Sequence, residues 1–99
     1  MKALVDGIFQ EITTPIYSVN LEDIEERVPH LKKTTLISHR ALTGDGWVVT
    51  HVLTGARIGK GPTRKKAIEN AGRMLLIAGN INFLKGIQHN LDKYGTANN

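Results

Sequence analysis

The chain has 99 residues, enough for one domain with a modest core, and the 40% that are hydrophobic are spread throughout, which argues for a folded chain and against disorder. It has no cysteine, which excludes a disulfide scaffold and thiolate metal sites and suits a reducing cytoplasm. The net charge of +4 is polarised: residues 1–29 carry two basic side chains against six acidic ones and residues 30–99 carry eleven against three, a footprint that suits an anionic partner.

In chain order, Leu4, Ile8, Phe9 and Ile12 recur at near-helical spacing, which predicts a helix over 3–12 inside an N-terminal segment, 1–19. Asp6 and Glu11 interrupt any apolar run of signal-peptide type, and no stretch reaches the roughly 18 apolar residues that cross a bilayer. No membrane partner is therefore expected, and the expected location is cytoplasmic. Pro15 ends the first element. Asn20 is positioned to cap a short acidic helix, residues 21–28, with Glu22, Asp23 and Glu25 in the turns where the helix dipole favours acids, and Pro29 stops it.

Residues 34–41 are rich in β-branched and apolar side chains and predict a strand; Thr43-Gly44-Asp45-Gly46 is a turn; residues 47–53 predict a second strand. Thr54-Gly55 turns the chain into a short third strand, 56–60. Gly61-Pro62-Thr63 then leads into a helix over 64–78, with Thr63 as its cap and Ala67, Ala71 and Leu75 on one face. Gly79-Asn80 fits a helix C-terminus, and Phe83, Leu84, Ile87 and Leu91 mark a last helix over 81–94. The tail, 95–99, is expected to fray and be flexible. The predicted product is an α+β domain. Its α-β-β-β-α core, residues 20–78, has a three-stranded antiparallel sheet with both helices on one face. An additional C-terminal helix, 79–94, follows and is available for the core or for a homodimer interface.

The run from Trp47 to Ala71 resembles the C-terminal half of a double-stranded RNA-binding domain. Trp47 stands at the aromatic that leads the alternating strand, Val49 and Leu53 at apolar core positions, and Gly55 at the turn. Gly59 and Gly61 form the Gly-x-Gly segment, Thr63-Arg64-Lys65 stands where that family has Ser-Lys-Lys, and Ala67 and Ala71 face the sheet. The likeness covers about residues 20–78 in topology and 47–75 in motif. It implies a partner that is double-stranded RNA or DNA, met at the phosphate backbone. The chain departs from the pattern in three places. Ile68 replaces a further lysine, the loop at 43–46 is short and holds Asp45, and the first helix is acidic. The expected contacts therefore rest on the start of the second helix.

The chemistry of that helix start points the same way without the likeness. The first turn of a helix has unpaired N–H groups and a partial positive charge. Arg64, Lys65 and Lys66 add three cations there, an arrangement that an anion such as phosphate relieves, and Arg57 and Lys60 widen the patch. These five are the expected nucleic-acid-binding residues.

No catalytic site, metal site or cofactor is expected, and the chain is read as a binding module and not as an enzyme. His30, His39, His51 and His89 lack tight metal spacing. His39 and His51 share a face only if the hairpin turn has three residues, and fall on opposite faces with two. Ser38 and His39 are strand neighbours that point apart, so they form no dyad. Trp47 is expected as a core anchor, with a base-stacking platform as the alternative. The second functional reading is a small accessory protein of phage or plasmid type that binds a host nucleic-acid-handling protein.

Overall fold

The computed structural model describes residues Met1–Asn99. Its centre is a four-stranded antiparallel sheet in the order β3 (Tyr17–Val19), β4 (Leu36–Arg40), β5 (Trp47–His51), β6 (Arg57–Gly61). The three expected strands are present, each within two residues of its predicted ends. A fourth, β3, pairs Tyr17 with Ser38 and Val19 with Leu36 on the open edge of β4. The predicted three-stranded sheet is corrected by this edge strand, whose three residues are too short to announce themselves by alternation.

The N-terminus forms a hairpin and not a helix. β1 (Lys2–Val5) pairs with β2 (Ile8–Glu11), Leu4 opposite Phe9, around Asp6-Gly7. Both turn residues have positive φ, 50° and 77°, the geometry that a two-residue hairpin turn requires. The acidic segment is likewise no α-helix. It holds two short 3-10 turns, Glu22–Ile24 and Pro29–Lys33, although Asn20 Oδ1 does accept the Glu22 N–H as a cap would. Val28, in the residue position that proline drives out of the helical region, has φ −129° and ψ 71°. Too few residues remain before it to recover the cost of nucleating a helix. The segment is held by burial of Ile24, Val28 and Leu31.

A single helical stretch, α1 (Arg64–Tyr94), ends the fold, with Thr63 Oγ1 accepting the Lys66 N–H at its start. Gly79, at φ 77° and ψ 171°, breaks it into arms over 64–78 and 80–94. The break falls where the sequence places it. Asn80 Oδ1 accepts the backbone N–H of His30, so the turn is tied to the rest of the domain.

The two faces of the sheet are covered differently. On one face Leu36 and Val49 pack with Ile24, Val28, Leu31, Ala67, Ala71, Leu75 and Phe83. On the other, Ile37 packs with Ala3 and Ile12 of the hairpin segment. The expected layout with helices on one face holds for α1, and the hairpin supplies a second layer. The C-terminal tail is not free. Asn98 accepts the Lys2 N–H and donates to the carbonyls of Lys2 and Val52, while the Ala97 N–H donates to Leu53 O. Leu53, expected inside, is 39% exposed and contributes its carbonyl to this clasp.

The Gly-x-Gly segment sets the distance between helix and sheet. A Cβ on Gly59 would lie 2.6 Å from Ala71 N and 2.7 Å from its Cα, and one on Gly61 would lie 2.7 Å from Ala67 N. These are backbone atoms and cannot swing aside. Gly59→Ala is expected to destabilise the fold by about 2–3 kcal/mol, the upper part of the overpacking range, and to lower the melting temperature by roughly 10 °C or more. Gly86→Ala, where nothing lies within 4 Å, is the contrast. It should leave stability unchanged or raise it by up to about 1 kcal/mol. Equal melting temperatures for the two variants would contradict this account of the helix–sheet contact.

Candidate nucleic-acid interface

The five expected cations do not form one cluster. Gly59 and Gly61 face α1, so Lys60 between them points to the opposite face by strand alternation. Arg57, paired with Thr50, lines the rim of a cavity of about 330 Å³ between hairpin and sheet. Arg64, Lys65 and Lys66 sit at the helix start on the other side of β6. Lys65 is exposed and forms no side-chain hydrogen bond or ion pair; Lys66 pairs with Glu69 at 3.6 Å. Of the thirteen Lys and Arg side chains, Lys66 alone forms an ion pair with a carboxylate.

Arg64 has a different task from the one expected. Its Nε donates to Ser38 Oγ at 2.9 Å and its Nη2 to Ser18 O at 3.1 Å, and its guanidinium lies 5.4 Å from the centre of the Tyr17 ring. It fastens the helix start to β3 and β4. The Tyr17 ring lies 6.0 Å from that of Trp47, at an interplanar angle of 47°. The guanidinium of Arg40 lies 4.7 Å from the centre of the Trp47 ring. Two aromatic rings are thus bracketed by two guanidinium groups at the end of the sheet beside the start of α1. Trp47 is half-buried and packs against the core from its edge, so it is anchor and surface at once. Sequence reasoning missed Tyr17 and Arg40. Arg40 was accessible in principle, because the strands joined by the turn at 43–46 place it opposite Trp47. Tyr17 had no such signal, since its strand was not foreseen.

The histidines are structural in their bonding. His39 and His51 lie on opposite faces of the sheet and form no pair. The His39 ring donates from Nδ1 to Arg40 O and meets Thr50 Oγ1 at Nε2, both at 2.8 Å. His51 Nδ1 meets Thr54 Oγ1 at 2.7 Å, and Thr54 Oγ1 also accepts the Ala56 N–H. Thr54 Oγ1 thus ties the His51 ring to the backbone of the following turn. The His30 and His51 rings both pack edge-on to Phe83.

Compared with known proteins, the chain matches no family model, no curated protein and no solved structure. No helix is long and apolar enough to cross a membrane.

Burial holds the His51 imidazole down at about 4, with the charge of His30 acting in the same direction, and burial also lowers His39, partly offset by its bond to Arg40 O. A histidine whose folded pKa is depressed takes its proton more readily in the unfolded chain. Stability should therefore be full above pH 6.5, the ordinary imidazole value, and fall as the pH drops from there toward 4. Melting temperatures at pH 7 and pH 4.5 check this, and the gap should narrow in His51→Asn. A stability that rises over that interval would contradict it.

Proposed function

We propose that this protein binds RNA or DNA through the phosphate backbone, without strong sequence readout. The observation that carries the reading is the surplus of uncompensated cations on both faces of the sheet end, Arg40 and Lys65 on the side of α1 and Lys60 on the other. Arg40, Lys60 and Lys65 are exposed and have no acidic partner. Unpaired cations on a rigid frame favour a polyanion, whose condensed counterions are released on binding. The start of α1 adds backbone N–H groups and the positive end of its dipole. The likeness of residues 47–75 to a double-stranded RNA-binding domain supports the same class of ligand. The cytoplasm, where such ligands are met, is the proposed location.

Lys60→Glu with Lys65→Glu is the test, because neither side chain holds the fold together. The variant should melt like the parent, since a glutamate in the first helical turn suits the dipole. Its affinity for a mixed-sequence nucleic acid should fall by at least about tenfold, from two reversed charges. The parent's affinity should itself drop steeply between 50 and 200 mM salt, conditions chosen to expose counterion release. A parent protein with no measurable affinity at the lower salt would end this reading.

A second reading, a small accessory protein that binds a protein partner or a second copy, is favoured by one observation. Ile77 and Ile81, on either side of the Gly79 break, are 80% and 70% exposed, with Leu84 beside them at 40%. Exposed aliphatics grouped in this way mark contact surfaces more often than scattered ones do. Ile77→Ser with Ile81→Ser should leave the melting temperature nearly unchanged and abolish any concentration-dependent association seen by sedimentation. Parent protein that stays monomeric at high concentration would remove the homodimer form of this reading.

A further inference from the structure

We propose that the Arg64–Tyr17–Trp47–Arg40 ladder is a base-stacking site for a short stretch of single-stranded nucleic acid. This inference rests on the phosphate-binding reading above and narrows it from nucleic acid in general to unpaired strands.

The argument begins with what the four side chains do for the fold. Arg64 is spoken for: two hydrogen bonds pin it to Ser38 and Ser18. Trp47 is half inside the core. Tyr17 and Arg40 are different. Tyr17 is 46% exposed, and its hydroxyl makes no hydrogen bond. Arg40 is exposed, touches the Trp47 ring at 4.7 Å, and has neither a side-chain hydrogen bond nor a carboxylate. Its donors are free, and no hydrogen bond or ion pair holds its guanidinium over the Trp47 ring. Burial of Tyr17 and Arg40 therefore explains little of their placement.

What such an arrangement offers is specific. Flat π faces and guanidinium planes accept unstacked bases, and stacking of this kind is tolerant of sequence because every base has a π face. A base inside a duplex is already stacked on both sides and cannot enter. The ladder also has cations at both ends, Arg40 and Arg64, with Lys65 exposed on the adjoining helix turn. Cations beside stacking rings are what a strand needs, since phosphates alternate with bases along it. Arg64 is pinned over Tyr17, but Arg40 is unbonded, so a base that displaces it meets the Trp47 face, and the site suits one base. The duplex implied by the family likeness would use only the cations and leave the rings idle.

Trp47 is the only tryptophan in the chain, so its emission reports on this site without a label. The probes are a single-stranded deoxythymidine oligonucleotide and a mixed-sequence DNA duplex of equal length. Each is titrated at low salt, with binding followed independently by calorimetry. Saturation with the single strand should quench Trp47 strongly, and the duplex should not quench it at equal occupancy. Tyr17→Leu should weaken single-strand binding roughly five- to a hundredfold, the range for one lost stacking partner. Tyr17→Phe, which keeps the ring, should retain it. Should Tyr17→Leu lose its fold, the parent's quenching contrast and the Phe variant decide alone. Binding of both probes with Trp47 emission unchanged would overturn stacking and leave the phosphate reading standing. Absence of heat and of quenching with either probe would overturn both.

Discussion

The backbone of β6 lies directly against the backbone of α1 at Gly59 and Gly61. No side chain separates them there. Helix and sheet approach until only hydrogen atoms fit between, and Ala67 and Ala71 are the helix residues small enough to complete the contact. Everything at the helix start follows from this seat. Because α1 rises from the sheet at Gly61, next to Trp47 in register, its first turn stands beside the end of β4 and β5. Arg64 can then reach across to Ser38 and Ser18. The glycines of the Gly-x-Gly segment thus act first as spacers, and their effect on the surface is indirect. They decide which side chains emerge around them.

The sheet carries an unusual load of buried polar groups, Ser38, His39, Thr50, His51 and Thr54. Each costs free energy unless it is hydrogen-bonded. All five are bonded: His39 with Thr50 across the β4–β5 ladder, His51 with Thr54 around the following turn, and Ser38 with Arg64 and, at 3.5 Å, with Tyr17 O. This network is how a 99-residue chain that leaves many of its large apolar side chains exposed stays specific. The cross-strand bond of His39 fixes the β4–β5 register, and the His51–Thr54 bond shapes the turn on which the hairpin and tail close. Leu4 N–H reaches Gly55 O at that turn, and Asn98 secures Lys2 from the other side. The two chain ends are joined into one layer over the second face of the sheet.

Much of the central fold was legible in the sequence. Strands β4 to β6 and both arms of α1 follow from β-branched runs, glycine turns, the Thr63 cap and the Gly79 break, all of which act through local backbone chemistry. The failures share one cause, which is that long-range contact decided between local alternatives. Leu4, Ile8, Phe9 and Ile12 satisfy a helical period, yet Asp6-Gly7 offers a hairpin turn, and only packing of Ala3 and Ile12 on Ile37 selects it. The acidic segment has helical composition but too little length before Pro29. The tail has no run of apolar residues, and the Asn98 side chain and the Ala97 N–H hold it. Of the candidate site, the cations were legible as a group. Their separation onto two faces was not, because Lys60 flips sides according to which neighbours need to be glycine. Tyr17 depended on an edge strand that nothing in its own three residues announces.

The surface that results divides labour along one edge of the fold. Arg64 stands in the most basic run of the chain, three cations in succession, and is nevertheless the one most fully occupied by protein groups. Its position at the helix start, where dipole and neighbouring lysines both repel it, costs free energy that its bonds to Ser38 and Ser18 and the face of Tyr17 must offset. The return is rigidity: with Arg64 fixed, Tyr17 is held against Trp47, and Trp47 is itself set in the core. The exposed members, Arg40 and Lys65, are then carried on a frame that is already ordered. Preorganisation of this kind lowers the entropic cost of association, which for a site with few contacts decides whether binding is measurable at all. A basic patch on a mobile loop could match its charge but would have to pay that ordering cost for every contact it makes.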